Sequence, residues 1–484
     1  MSVRTDAARI FLTAWLVYAA FWNPWLQSSM TFNFLDAAVS FVDTGRWGMA
    51  HPQLYEGKDT AMANGRLVSA EPPGMALLVI PMYSVWRVMM GPVDSVQTFQ
   101  AFNGFLSLTL GATASALIAV EVASLASWLG GSRRGQLWAA LLVAFGTQAF
   151  FFGTTVFKEN FAALAVIFSF RLSVAPGSHA HRVKAGMAAG LAVALAYPTA
   201  LLVPLLVVHL LRREGFGSAA AFLLGCVPCA LALAVYNWWL FGKPWLTGYY
   251  FIAGLSNLGF VFPKGAILLD LLAGPRGGLF LYAPFLLFAL AGLAVAWRTG
   301  KSGEAMVAVV FLAGLWLAAA GWQSQFADRA SWAHSLGPRM MFPAIPLLAA
   351  FAAPVMDRMS RNLLLVAGIP SVLCGYLSAQ AGVIPTANPF PYAVKTWLSG
   401  TGMGVVFKEA LPQWLGVDTL HTVVSRPDVS ASDLLRLLPT AEGARLAGNQ
   451  FLLFGANLLV FSGIAWFLRK LWRGSKEGEQ RVRQ

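Results

Sequence analysis

The sequence of 484 residues predicts an all-α, polytopic membrane protein, and three observations carry that expectation. Hydrophobic residues make up 57% and charged residues 11%, against about 45–50% and about 25% in soluble domains. Apolar runs close to the ~20 residues needed to cross a bilayer recur from end to end. Basic residues gather in the short loops between alternate runs, as the positive-inside rule requires. A soluble enzyme is excluded by the missing charged surface. A disordered chain is excluded by the 13% aromatic content and scarce charge.

The expected spans are 10–28, 99–128, 136–153, 157–172, 184–197, 198–211, 218–240, 277–297, 304–321, 339–357, 362–384 and 450–468, about twelve in all. The run from Ile10 to Ser29 reads as a first span, since it is long and lacks a small-residue cleavage site. The pair 184–197 and 198–211 is short for two crossings, and Pro198 fits a sharp turn between them. Residues 73–91 are also apolar but contain Pro73, Pro81 and Arg87. Counting them as a crossing would move Arg133/Arg134, Arg212/Arg213 and Arg358/Arg361 to the outer side. They are therefore expected as an interfacial or re-entrant helix on the outer face.

This topology accounts for the net charge of +13. The cytoplasmic loops and the tail RKLWRGSKEGEQRVRQ meet anionic headgroups, and no nucleic-acid partner is expected. Three long outer segments remain, 29–98, 241–276 and 385–449, and loops of that length are usually functional. The expected organisation is a transmembrane domain over 1–384, an extracytoplasmic cap of short helices over 385–449, and a last span with a basic tail over 450–484. Cys226, Cys229 and Cys374 all fall in apolar runs and read as small hydrophobes, not as a disulfide framework.

Candidate chemistry lies on the outer side. Asp36, in a short helix FLDAAVSFVD on the surface, is expected near the apolar boundary, where partial desolvation suits a general base. Asp43 reads as a helix charge, and Asp59, before DTAMANG, as the N-cap of a helix. Glu71 opens an extended turn with Pro72 and Pro73, and Lys158-Glu159 lies at the outer turn between two spans. Arg276 and Arg339 stand in matching Gly-Pro-Arg settings, each before an apolar helix, with Arg329 and His334 close to the second. A guanidinium fork beside a helix N-terminus suits a phosphate at the lipid boundary. Trp238, Trp239, Trp245, Tyr249, Tyr250 and Trp332 either line a sugar site or form an interfacial belt. Six scattered histidines give no zinc-type spacing, and a carboxylate-bound divalent cation stays open.

Six stretches in order along the chain carry a resemblance: Asp36 in the first loop, KDTAMANGRLVSAEPPGMALLVIPMY (58–83), LAYPTALLVPLL (195–206), YNWWLFGKPWLTGYY (236–250), GPRGGLFLYAPFLL (274–287) and GPRMMFPAIPLL (337–348). The chain resembles the bacterial polytopic glycosyltransferases of the GT-C superfamily, among them protein mannosyltransferases, aminoarabinose transferases and arabinofuranosyltransferases. The resemblance implies a GT-C-like bundle in the bacterial inner membrane, with an outer cap and a site facing the periplasm. It implies transfer of a sugar from a polyprenyl-phosphate donor to a glycan, lipid or protein acceptor. By position, Asp36 is then the base and Asp59 a second acidic group. Arg276, Arg339 and Arg329 bind the donor phosphate, and Glu71, Lys158, Glu159, Tyr249, Tyr250 and His334 surround sugar and acceptor. The alternative is a transporter or flippase of a lipid-linked glycan. That reading needs ionisable residues through the depth of the bundle, and the middles of the spans hold almost none.

Overall fold

A computed structural model describes residues 3–26, 28–54, 59–252, 261–324, 336–384, 389–400, 402–424, 436–437 and 439–483. Helix α1 (Val3–Ala20) leads through a loop to α2 (Ser29–Thr44), then to a hairpin β1 (Thr60–Ala63) and β2 (Arg66–Ser69), and to α3 (Gly74–Met90). The chain continues through α4 (Val96–Leu106) and α5 (Ala112–Trp128), which a π-turn joins into one long rod. Next come α6 (Arg133–Phe145), α7 (Ala149–Thr154), α8 (Lys158–Val174), α9 (His179–Leu195), α10 (Leu202–Glu214) and α11 (Phe216–Phe241). The second half holds α12 (Gly265–Ala273), α13 (Leu279–Tyr282), α14 (Leu287–Arg298), α15 (Ser302–Ser324), α16 (Ile345–Met356) and α17 (Arg361–Ala381). Short helices α18 (Pro389–Ser399), α19 (Leu411–Leu415) and α20 (Leu420–Val424) precede α21 (Ala441–Arg483).

The protein is an all-α, multi-pass membrane protein. Among the described residues six helices are long and apolar enough to cross a bilayer: Val96–Trp128, Phe216–Phe241, Ser302–Trp322, Arg339–Met356, Arg361–Ala381 and Ala441–Lys470. The other expected spans appear as shorter helices or as broken pairs, such as α6 and α7 interrupted at Gly146–Gln148. Helix α16 is apolar all round and sits at the centre, packed on α5, α6 and α14. Helix α21 leaves nearly all its apolar surface uncovered, which suits lipid as its neighbour. Cys226, Cys229 and Cys374 are unpaired.

The basic loops meet at one end of the bundle, where backbone and carboxylate partners fix them. Asp357 accepts from the Ser132 and Gly135 amides at 2.5 and 2.6 Å, capping α6. Asp6 holds Arg133 with bonds of 2.7 and 2.9 Å. Buried Arg182 pairs with Glu214, Glu304 with Arg213, and Lys301 donates to the Trp128 carbonyl. Glu121, on α5, pairs with Arg171 of α8.

At the opposite end α2 and α3 form a separate layer. Ser28 caps α2 by accepting from the Thr31 amide, and Gly45 ends it at φ +68°. Helix α3 starts against the Ala194 carbonyl at the end of α9 and finishes with Tyr83 and Arg87 on Asp43 of α2. The following helix α4 begins at the same end, with Phe99 against Phe32 and His51. Residues 74–90 therefore lie beside α2.

Two local expectations fail here. DTAMANG does not start a helix: Asn64 and Gly65 adopt φ +51° and +73°, the left-handed pair of a two-residue hairpin turn, with Ala63 opposite Arg66. Asp59 is accordingly no N-cap and itself has φ +58°. Asp36, expected on a surface helix, is completely buried, because α3 and the loop around His51 cover the face of α2 that bears it.

Candidate functional site

Helix α2 presents Ser29, Asn33 and Asp36 at positions i, i+4 and i+7, on one face. The first two grip Asp59. The Ser29 hydroxyl donates to Asp59 Oδ2 at 2.6 Å and the Asn33 amide donates to the Asp59 carbonyl at 3.0 Å. That carbonyl also accepts from the Ala70 amide, so α2 and the end of the hairpin hold Asp59 from two sides. Its side chain is only half-buried.

The third residue is used differently. Asp36 accepts from the His51 backbone amide and from His51 Nδ1, each at 2.9 Å. Asp36 thus staples the first loop onto α2 and leaves its own carboxylate inaccessible. His51 is a partner that composition did not single out; only its position after the short helix hinted at it.

The hairpin delivers Glu71 to the start of α8. Glu71 is buried and pairs with Lys158, and its Oε2 also accepts from the Tyr249 hydroxyl at 2.8 Å. Lys158 donates to the same hydroxyl at 3.3 Å. Tyr249 is placed by Gly248, which packs on the Ala70 backbone so closely that an added Cβ would lie 2.5 Å from the Ala70 Cα. The Tyr249 ring meets Trp322 and Tyr197 edge-on, at 5.3 and 5.9 Å between centroids. Tyr250 is exposed, as are Trp238, Trp239 and Trp245, which fits a belt facing headgroups better than a sugar lining.

Glu159, the next residue after Lys158, points about 100° round α8 and meets Arg339, with Nε 3.4 Å from its Oε1. Arg339 follows Gly337, whose φ of +107° no residue with a side chain adopts easily. The two Gly-Pro-Arg turns touch: an added Cβ at Gly277 would stand 3.9 Å from the Gly337 carbonyl. Arg276 itself lies on the exposed side of its turn, with its amide 3.5 Å from Asp270. Arg329 and His334, with Asp328 and Trp332, lie outside the described residues.

Asp59, Glu71, Lys158, Glu159, Tyr249 and Arg339 therefore come together at the end of the bundle opposite the basic loops, while Asp36 serves their support. Burial pushes the Asp59 carboxyl above the usual Asp range, and the Glu71 charge adds to this. The Ser29 hydrogen bond, Arg339 and Lys158 pull the other way. Burial likewise raises Asp36 against its His51 bonds, and lifts the Tyr249 hydroxyl well above the ordinary tyrosine value, so it stays a donor. Among the described residues no group of three or more His, Cys, Asp or Glu is arranged to hold a metal ion. The cluster can bind an anion through Lys158 and Arg339 and take a proton at Asp59.

The chain matches no protein-family model and no curated protein. Among solved structures it is similar to the crystal structure of ArnT from Cupriavidus metallidurans in the apo state, with 16% identity and a TM-score of 0.49 over 95% of this chain and 77% of that one. It is also similar to ArnT from Cupriavidus metallidurans bound to undecaprenyl phosphate, with 16% identity and a TM-score of 0.45 over 94% of this chain and 77% of that one.

Proposed function

We propose that this protein is an integral-membrane glycosyltransferase of the bacterial inner membrane that moves a sugar from a polyprenyl-phosphate donor to a glycan, lipid or protein acceptor on the periplasmic face. One observation carries the reading. A proton-accepting carboxylate, Asp59, shares a partly buried cluster with the cations Lys158 and Arg339, at the membrane end away from the basic loops.

In this reading the prenyl tail stays in lipid and the phosphate sits at Arg339 and Lys158, with Arg276 at the rim. Asp59 takes the proton of an acceptor hydroxyl, whose oxygen attacks the anomeric carbon. The carbon–oxygen bond to phosphate breaks, and the bonding pair leaves on polyprenyl phosphate. Its added negative charge develops beside the two cations, which lowers the barrier most at that moment. A single displacement inverts the anomeric configuration. Asp59 is favoured over Asp36 as base because Asp36 has no exposed oxygen and already accepts two bonds from His51. Asp36 positions the loop that ends at Asp59.

The test is transfer of labelled glucose from polyprenyl-phosphate glucose to cell-envelope acceptors by the purified full chain in lipid nanodiscs. Asp59→Asn is expected to cut kcat by about 10²–10⁴-fold, the usual contribution of a general base, while binding of polyprenyl phosphate persists. Undiminished transfer by Asp59→Asn refutes the assignment.

A further inference from the structure

The cap turns its charges inward and its apolar residues outward. Between Val406 and Val417 the charged residues are Lys408 and Glu409. Lys408 is fully buried and donates to the Gln380 carbonyl at the end of α17. Glu409 faces His421 of α20, 3.6 Å away. The exposed residues of the same stretch are Gln413, Trp414, Leu415 and Gly416, none of them charged. Trp414 is 62% exposed and Leu415 60%, at the tip where Gly416 ends α19 in the left-handed region. A segment facing water has the opposite arrangement, and one facing lipid has this one.

Two helices measure the depth at which this tip lies. The Trp414 ring meets Trp22, with 5.9 Å between centroids, and the Trp22 indole donates to the Gly104 carbonyl at 2.8 Å. Gly104 stands twenty-four residues along the α4–α5 rod from Trp128, whose ring lies under Lys301 and Arg213 at the basic end. At 1.5 Å per residue that is about 36 Å. On the other side of the tip the Asp418 carbonyl accepts from Asn449 of α21 at 2.8 Å. Asn449 stands twenty-three residues, about 35 Å, from Trp472, which meets Arg9 at the basic end. The hydrocarbon core is about 30 Å thick, and the bilayer with its headgroups about 40–45 Å. Both distances run from a tryptophan beside basic residues, and both put the tip at the opposite boundary, where headgroups meet acyl chains.

From this geometry we infer that the α19 tip, Trp414 with Leu415, is a membrane anchor of the cap, inserted into the headgroup–acyl boundary of the outer leaflet beside α1 and α21. The partner is bulk bilayer lipid, and the inference stands independently of the donor reading above. An indole suits this boundary, with its ring toward the chains and its N–H toward the headgroups. Leu415 adds apolar surface, and no charge has to leave water. The anchor bears on the site through what the rest of the cap holds. Lys408 grips the end of α17, and two residues earlier the Ser378 hydroxyl accepts from the amide of Leu336, which lies three residues before Arg339. The cap thus ties the bilayer surface to the helix end that supports the Arg339 turn.

The experiment places the full chain in nanodiscs, with a small environment-sensitive fluorophore on Leu415→Cys. The unaltered chain, whose three cysteines are buried or half-buried, gives the labelling background. Quenching is read from lipids carrying nitroxides at graded depths and from iodide in the water. Asp94→Cys is the control on the water side, since Asp94 is exposed and precedes the start of α4, about 12 Å beyond Gly104. The lipid quenchers are expected to place the Leu415 label about 5–10 Å into the headgroup–acyl boundary, with iodide dimming it less than the Asp94 label. Trp414→Cys carries the same label as a second reading, so that a variant that fails to fold leaves the test in place. A Leu415 label reached by iodide as fully as the Asp94 label puts the tip in water and overturns the inference. A label reached by neither quencher is covered by protein, a second copy or another chain, and overturns it as well.

Discussion

Replacing Ser29 by Ala removes one hydrogen bond and should leave the rest of the cluster in place. The Ser29 hydroxyl donates to Asp59 Oδ2 at 2.6 Å, the length of a charge-assisted bond. Ser29 is the first helical residue of α2, and the cap is made by Ser28, so the helix keeps its start. Hydrogen bonds to charged groups contribute about 1.5–3 kcal/mol. Both partners here are only half-buried, so water recovers part of that, and about 1.4 kcal/mol is the reasonable share. One pKa unit corresponds to about 1.36 kcal/mol. The bond favours the carboxylate form, so its loss disfavours that form and raises the Asp59 pKa by about one unit. The native value is already pushed above the usual Asp range by burial and by Glu71. The working form of a base is the unprotonated one. Activity therefore falls as pH falls through the pKa, and in Ser29→Ala that acid limb should move up by about one pH unit. Below the new limb the variant should be about tenfold slower than the native chain; on the alkaline plateau the two should agree. The assay is kcat/KM for sugar transfer between pH 4 and 9. An acid limb that stays put, or moves down, refutes the assignment of Asp59 as the titrating base.

Arg339→Ala should raise the Kd for polyprenyl phosphate about 10–100-fold, with Arg339→Lys retaining part of the affinity, since a point charge lacks the planar fork; lipid binding in nanodiscs measures both, and unchanged affinity rules out a phosphate role. Asp36→Ala should lower thermal stability by about 2–4 kcal/mol, because two bonds to His51 are lost in a fully buried setting. The folded value of Asp36 is raised by burial, so its contribution is present at low pH and lost as pH rises through that value. Melting curves of Asp36→Asn should accordingly depend less on pH across that window. A cysteine placed at Tyr250 should react with a membrane-impermeant maleimide on spheroplasts and one at Ser132 should not, since these positions lie at opposite ends of the bundle; the reverse pattern would invert the topology.

Much of the bundle was legible because burial in lipid and burial in protein both read as hydropathy. The charge pattern set residues 73–91 apart from the expected spans, and the structure packs α3 along α2. The hairpin at 60–69 was hidden by a short alternating stretch that also suits a helix start. Its one clear signal was Asn64-Gly65, a pair that favours left-handed backbone at two successive positions. The site was legible as a set of residue types and not as a set of contacts. Lys158 and Glu159 are adjacent in sequence, yet a helix turns each residue about 100° from the last. One reaches Glu71 on the hairpin side, the other Arg339 on the far side. No reading of the dipeptide alone assigns those partners.

The two aspartates of the first loop make the same point for chemistry. Both are acidic, both follow the first span, and the usual argument for a base, a carboxylate partly out of water, applies to each. What separates them is who occupies their lone pairs. Asp36 spends both oxygens on His51, a neighbour fifteen residues on, and vanishes from the surface. Asp59 receives one hydroxyl from Ser29 and feels the charges of Glu71, Arg339 and Lys158, which come from other elements. Desolvation alone marks a carboxylate as strained; desolvation beside fixed cations, with an oxygen still open, marks it as able to work. By the same logic the matching Gly-Pro-Arg turns are not equivalent. The turns touch, but Arg339 is drawn inward by Glu159 while Arg276 stays at the rim. If transfer requires a phosphate between these turns, Arg276→Ala should weaken donor binding less than Arg339→Ala. An equal or larger effect at Arg276 would mean that the phosphate sits outside the cluster, beyond the reach of Asp59.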